Sequence, residues 1–484
     1  MKRQAGWDDI GTAQRSVLAR AREYLRARTQ QGVDVARTPD CHLNGWAQVP
    51  GNARLHQLAG ERGASLRVLL ARAKDALHYV GQAGYEVVDE SAGSTAFTRL
   101  VVSWCRAGDF SEDGRFHDRY FGISSAETPE TLWFLMAIDQ HIPARRDKNI
   151  VVFRQIPGRR STAAFRLVQE TARVAVAPAS EDGTGPTVSA ITALADQVTA
   201  AVLALVQGRT FASVLLPYEA QPFQHTIFRA LKRQDPRIQT VGYLHSALPP
   251  LPADLIHRSG APELLLVHGR GQADILARHL GWSPASLVTI KSLRYQLADD
   301  RPFGGLIFLP YAFRDARVIE ETFEDLLRKS IPGSLPRLAV RNHPVMNGSK
   351  RHAHLQSRLE ELMLAYANRF SPDATPRRPV SIFIGATAAI LEALERGITA
   401  LQICSQPLTE SHDAQLWQSL RVERLGKYLF RYELATPGVY VELGPGTRAV
   451  AASNEIVRAC LGMSAHSLTQ DDAVENAKGP RRAG

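Results

Sequence analysis

At 484 residues the chain is too long for one ordinary hydrophobic core, and two or three domains are expected. A hydrophobic content of 44% and a charged content of 22% describe a globular protein and exclude a disordered or fibrous one, and no apolar window approaches the roughly 18 residues of a membrane-spanning helix. The net charge of +10 points to an anionic partner, but no basic run interleaved with aromatics and no zinc-finger spacing accompanies it, which sets nucleic acid aside.

Residues 1–95 read as a helical N-terminal region. The start, "MKRQAGWDDI", has no apolar stretch and is not a signal peptide. The four cysteines, Cys41, Cys105, Cys404 and Cys460, lie far apart and form no CxxC pair, so neither a zinc site nor a disulfide framework is expected. The chain therefore reads as cytoplasmic. The basic stretch "AQRSVLARAREYLRART" reads first as a solvated helix face, with a peripheral contact with an anionic membrane at the inner face of the inner membrane as the alternative. In "SLRVLLARAKDALHYVG", Leu66, Leu69, Leu70, Ala73, Leu77 and Val80 recur at helical spacing, and Gly81 is a natural stop.

Residues 96–295 change to short apolar runs separated by loops and amphipathic segments. The strands predicted are 99–104, 149–153, 213–217, 240–244, 263–267 and 287–290. Strand, crossover helix, strand is the pattern of a parallel sheet. A polar stretch, "RYQLADDRPFGG", reads as a linker. A second such series spans 304–463, with "GGLIFLP", "RLAVRNHP", "VSIFIG" and "ITALQI" as its strands and helices between them. Residues 464–484 read as a disordered tail. The fold class expected is α/β, with two Rossmann-like domains facing each other across a cleft.

Chemistry concentrates where strands end, because ligands of open α/β sheets bind at the carboxyl edge. Proline ends a strand and extends the residue before it, so "VRNHP" holds Arg341 and His343 at such an edge, with Pro344 fixing the turn. In "SIFIGATAAILEAL" a strand ends at Gly385 and a helix begins near Thr387. Backbone amides at Gly385, Ala386 and Thr387 and the threonine hydroxyl suit a phosphate, with Glu392 in reach of a ribose diol. Ordinary strand-to-helix packing would use the same small residues. No GxGxxG and no Walker A sequence is present, which argues against a dinucleotide cofactor and an NTPase. No DxD sequence occurs, and no metal is expected.

The His-Pro turn followed by the Gly-Ala-Thr turn and "EALERG" resembles the nucleotide half of GT-B glycosyltransferases. It is most similar to bacterial enzymes that use CMP-activated ulosonic acids, the sialyl-, polysialyl- and Kdo transferases. The resemblance covers Arg341–Pro344 and Gly385–Gly397 and implies that these turns bind the CMP phosphate and ribose. It departs from the family in one place, since Ala388 stands where a second hydroxyl is usual. In the first domain "YEAQPFQ" and "GYLHS" resemble stretches of surface-carbohydrate transferases and of the retaining β-Kdo transferases. They imply roles for Glu219 and His245 in the chemistry and for Ser246 at the substrate. Glu112-Asp113-Gly114 resembles the acidic motif that carries the base in some sialyltransferases, with Asp109 and Asp118 as rival carboxylates. Lys291 and Arg294, in "IKSLRYQ", are placed to neutralise phosphate or sugar carboxylate.

The expectation is a glycosyltransferase that moves an ulosonic acid, Kdo above all, from its CMP-sugar to a growing capsule or lipopolysaccharide glycan. The acceptor is glycan, in one reading lipid-linked, and no cofactor is needed beyond the donor itself. Two alternatives stay open: an NDP-hexose-dependent transferase of the same fold, and a non-catalytic protein that binds anionic glycan or lipid.

Overall fold

The computed structural model describes residues 9–43, 50–61, 70, 83–89, 97–139, 141–160, 190–296, 304–343, 346–371 and 379–463. The helix expected at 65–81 lies outside these residues apart from Leu70, as do Pro344, most of the linker and the tail.

The chain begins with α1 (Ile10–Gln30) and α2 (Pro50–Leu58). Asp9 caps α1 by accepting the Thr12 amide at 2.8 Å, which pairs one of the donors a helix start leaves open. Val17, Leu18, Ala21 and Leu25 form one buried face. The apolar side of α1 is thus spent inside the protein, and what it shows to solvent is polar, including Arg15, Arg20, Glu23 and Arg26.

The first sheet is built from β1 (Ala83–Asp89) and β2 (Arg99–Cys105), then, beyond a small hairpin of β3 (His117–Asp118) and β4 (Ile123–Ser124), from β5 (Thr131–Ala137) and β6 (Ile150–Arg160). After α3 (Ala190–Val206) come β7 (Ser213–Pro217), α4 (Pro222–Gln234), β8 (Gln239–Tyr243), β9 (Leu264–Val267), α5 (Arg270–Leu280) and β10 (Leu287–Thr289). The strand order is β1-β6-β5-β2-β7-β8-β9-β10. All pairs are parallel except β1 with β6. Helices cover both faces of such a sheet, so its central strands are apolar runs; every residue of β7 is buried. Residues 83–89, expected in a helical region, form a strand because they pair along the edge of β6.

The second sheet comprises β11 (Leu306–Phe308), α6 (Ala316–Lys329), β12 (Ala339–Arg341), α7 (Lys350–Ala365), β13 (Val380–Ile384), α8 (Ala389–Glu395), β14 (Thr399–Ile403), α9 (Pro407–Glu410), β15 (Leu420–Arg424) and β16 (Leu429–Leu434). Its order is β12-β11-β13-β14-β16-β15, parallel up to β14 and antiparallel beyond. The protein is therefore an α/β molecule with two mainly parallel sheets.

The last helices, α10 (Thr447–Ser453) and α11 (Glu455–Leu461), return to the first sheet. Val457 and Cys460 are buried with Val101, Trp133 and Leu215, and Leu461 O accepts from Thr131 Oγ1 at 2.7 Å. The sequence pattern assigned these helices to the second domain, yet they cover the first.

The two sheet units are joined by a continuous core in which Leu251 and Leu265 of the first share a cluster with Leu391, Trp417 and Tyr440 of the second. Backbone bonds cross the junction, including Ser292 N to Glu442 O at 2.7 Å and Gly444 N to Tyr295 O at 2.9 Å. The N-terminal helices touch both units. Gln14 on α1 donates to Leu408 O and Ser411 O of the second, while α1 also packs on α5 of the first. No helix among the described residues is long and apolar enough to cross a membrane.

Candidate active site

The carboxyl edges of β7 and β8 place the first pair of groups. Pro217 and Tyr243 are opposite each other in parallel register, and two residues beyond each stand Glu219 and His245. The equal offset brings both side chains to the same spot. Glu219 Oε1 lies 3.0 Å from His245 Nε2, and Gln221 Nε2 donates to Glu219 Oε2 at 2.9 Å. Burial pushes the Glu219 carboxyl up, but the His245 charge and the two hydrogen bonds outweigh it and lower the group to about 2. Glu219 is thus a carboxylate at neutral pH, with its side chain still 43% exposed.

The turn that carries Glu219 is unusual. Ala220 has φ 55°, the one positive φ outside glycine among the described residues. Gln224, in the first turn of α4, closes this loop from inside. Its Oε1 accepts the amides of Glu219 (3.0 Å) and Gln221 (2.9 Å), and its Nε2 donates to Pro217 O at 2.6 Å.

Tyr120 meets His245 edge to face, with ring centroids 4.7 Å apart. It sits on the loop after β2, which Asp118 anchors. That buried carboxyl accepts from Ser103 Oγ at 2.5 Å and from the Tyr120 and Phe121 amides at 2.8 and 2.9 Å. Burial outweighs these bonds and raises it to about 6. Asp109 pairs with Arg119. Asp113 is exposed and takes its partners, Ser111 and Arg115, from its own turn; no contact among the described residues joins it to Glu219 or His245. Glu112 beside it is exposed.

Arg294, after β10, ties the site together. Its Nη1 donates to Ser246 Oγ at 2.8 Å, and its guanidinium lies 5.3 Å from the Tyr295 ring centre. Tyr295 first of all, then Glu392, Tyr243 and Glu219, favour its charged form over the opposing effect of burial. Glu392 belongs to the second unit, so carboxylates from both units act on one arginine. Lys291 is exposed, 3.8 Å from Glu442.

On the second unit, β12 delivers Arg341, whose guanidinium lies 5.6 Å from the Phe308 ring centre, and His343, which meets Tyr311 edge to face at 5.7 Å. Burial, then the charges of Arg294 and His352, lower the His343 imidazole below its usual range. The Arg294 charge of the first unit thus acts on His343 of the second. Gly385 ends β13 at φ 63°, a conformation that favours glycine, and its amide donates to Ile403 O at 2.8 Å. The helix starts at Ala389, two residues later than the sequence suggested, because Thr387 Oγ1 turns back to accept the Ala389 amide at 3.3 Å. Ala386 and Thr387 are half-buried. Glu392 is nearly buried and bonds Arg396 at 3.1 Å.

Two groups of predicted residues are therefore brought together: Glu219 with His245, and Ser246 with Arg294, whose charge acts on His343 and is favoured by Glu392. Tyr120, Gln221 and Gln224 were not singled out, although Gln221 and Gln224 lie within "YEAQPFQ" and Tyr120 stands two residues past Asp118. No group of three or more histidine, cysteine or acidic side chains arranged for a metal occurs among the described residues.

No family model matches this chain, and no curated protein matches it. Among solved structures it is similar to a UGT transferase from Siraitia grosvenorii in complex with UDP, at 10% identity and a TM-score of 0.31, over 66% of this chain and 83% of that one. It is similar to an α,α-trehalose-phosphate synthase (UDP-forming) from Burkholderia vietnamiensis, at 11% identity and a TM-score of 0.32, over 66% and 90%. A glycosyltransferase from Rickettsia africae ESF-5 is similar at 10% identity and a TM-score of 0.28, over 65% and 86%.

Proposed function

We propose that the protein is a GT-B glycosyltransferase that moves an ulosonic acid, Kdo above all, from its CMP-activated form to a surface glycan. The observation that carries the reading is the Glu219–His245 pair at 3.0 Å with the Ser246–Arg294 bond at 2.8 Å beside it, Arg294 being a charge that Glu392 of the other unit favours and that acts on His343. Two α/β units, with acidic and histidine groups at one sheet edge and a glycine turn at an edge of the other, suit transfer from a nucleotide-sugar bound between them. The choice of a CMP-ulosonic acid is supported by the likeness of "RNHP", "IGAT", "YEAQPFQ" and "GYLHS" to that family. Such a donor carries one phosphate and one sugar carboxylate, and Lys291, Arg294 and Arg341 supply cations for both.

In this reading Ala386 and Thr387, with Arg341 and the neutral His343, receive the phosphate, the Gly385 amide being spent on Ile403 O, and Glu392 lies on the ribose side. A carboxylate as acidic as Glu219 is a weak base, because an effective base has a pKa near the working pH. It is better suited to attack or stabilise an anomeric carbon with oxocarbenium character. The bond from that carbon to the CMP phosphate oxygen breaks, CMP keeps the electron pair, and Glu219 takes its place. The acceptor hydroxyl then displaces Glu219, which leaves with its electron pair as a carboxylate, and the hydroxyl proton passes to the phosphate of the released CMP, with configuration retained overall. Asp113, on the exposed turn, remains the second candidate carboxylate.

Thermal stabilisation by CMP, CDP, UDP, GDP and ADP at matched concentrations tests the donor. A ligand at 100 times its dissociation constant adds about 2.7 kcal/mol. Stabilisation by CMP that His343→Ala abolishes, followed by turnover of CMP-Kdo, is the expected result. Stabilisation only by UDP or GDP would replace the donor with an NDP-hexose, and no response to any nucleotide would leave a glycan- or lipid-binding protein.

A further inference from the structure

We propose that Gln224 is a positioning residue for Glu219, holding the strained Pro217–Gln221 turn so that the carboxylate faces His245. The inference rests on the reading of Glu219 as the reacting carboxylate and adds the element that aims it. Gln224 is 2% exposed, so its amide is out of water and its bonds are made to protein alone. It spends both ends on a single turn, accepting two amides and donating to one carbonyl. Those three bonds bracket Ala220, whose φ of 55° an L-residue rarely adopts.

A non-glycine residue keeps such a conformation only where its surroundings over-determine it. Gln224 supplies that determination from within. On the other side stands His42, brought in by the N-terminal region and buried, whose imidazole the Ala220 backbone favours in its charged form against the burial that lowers it to about 3. It is itself held by its neighbour, since Cys41 O accepts from the buried Arg258 guanidinium. With the turn fixed, the Glu219 amide points inward to Gln224 and its side chain outward to His245. Without Gln224 two amides and a carbonyl lose their partners, Ala220 relaxes toward negative φ, and the carboxylate swings from His245.

The test needs no substrate. Protein labelled with 13C at the glutamate carboxyl is titrated by NMR, the Glu219 signal being identified by its loss in Glu219→Gln. In Gln224→Met, which keeps the length and apolar stem but no hydrogen bond, the Glu219 carboxyl is expected to move from about 2 toward its ordinary 4.5. Adding Ala220→Gly, which tolerates positive φ, is expected to bring it part of the way back. Should Gln224→Met not fold, Gln224→Asn carries the test with the same expected direction, its amide being one methylene too short to span the turn. A Glu219 titration unchanged in a folded Gln224 variant overturns the proposal. A merely structural role would lower the melting temperature without moving that titration. In the transfer reaction, Gln224→Met is expected to reduce kcat about 10²-fold with stabilisation by nucleotide unchanged. If Glu219→Gln itself transfers at the full rate, the reading of Glu219 as reacting carboxylate fails, while the titration still decides whether Gln224 positions it.

Discussion

Glu219 Oε1 stands 3.0 Å from His245 Nε2, each side chain two residues past a matched pair in the parallel register of β7 and β8. The pair holds the Glu219 carboxyl down to about 2, against 4.5 for the free group. A carboxyl depressed in the folded state contributes stability that is complete above 4.5 and is lost as pH falls toward 2. Melting curves of the parent and Glu219→Gln should therefore stay apart at neutral pH and converge in that acid window. The same substitution is expected to cut transfer at least about 10²-fold. Curves separated by the same amount at pH 7 and at pH 2 would show that the pair does not form in solution.

Asp118 has the opposite sign. Its carboxyl is fully buried and raised from 3.8 to about 6, so ionising it costs the folded state and stability falls as pH rises from 3.8 through 6. Two pKa units correspond to about 3 kcal/mol. Asp118→Asn keeps an acceptor for the Tyr120 and Phe121 amides and carries no charge. It is expected to be more stable than the parent above pH 6, by an amount of that order at most, and to lose the advantage by about pH 4. Denaturant titrations at the two pH values measure this; a variant less stable at pH 8 would mean that the loop under Tyr120 depends on the anion.

Much of this arrangement is legible in the sequence, for a physical reason. Parallel strands covered on both faces are unbroken apolar runs, and "SVLLP", "TVGYL" and "VSIFI" declare themselves without context. The residues at their ends, Glu219, His245, His343 and Gly385, follow from where the runs stop. What escaped depends on partners distant in the chain. β5, "TLWFLMA", follows β2 through a hairpin loop and no crossover helix, so the alternation that marks the other strands is missing. Nothing local in α10 and α11 says which of two sheets they cover, and only the contacts of Val457 and Leu461 decide it. Gln224 looks like one more polar residue of an amphipathic helix until its three bonds are seen.

The N-terminal region, for which the sequence suggested no task beyond a basic surface, links the two units. Gln14 is fully buried and donates to Leu408 O at 3.0 Å and Ser411 O at 2.7 Å. Gln14→Leu fills the same space and leaves both carbonyls without that donor. A buried polar group stripped of its partner costs about 1–3 kcal/mol, so the free energy of urea unfolding should fall by that amount, seen as a lower midpoint with the slope unchanged. An unmoved midpoint would mean that α1 is not bound to the second unit in solution.

Arg294 and His343 come from different units, and the charge of the first is one reason why the second is harder to protonate. Removing that charge while keeping the stem, in Arg294→Met, should therefore raise the His343 imidazole toward its ordinary 6.5. The shift is read from the His343 ring signals in an NMR titration, identified by their loss in His343→Ala. Burial and His352 still act, so the rise is expected to be partial. Arg294→Met should also weaken CMP binding, because Arg294 would neutralise part of the donor's charge, and its loss at a charged contact is worth about 1.5–3 kcal/mol, or roughly ten- to a hundredfold in Kd. The two readouts separate two properties of the site. A His343 titration that does not move would place the units farther apart in solution than the cleft requires, whatever the nucleotide does. A titration that moves with CMP binding unchanged would keep the cleft and take Arg294 out of the donor site.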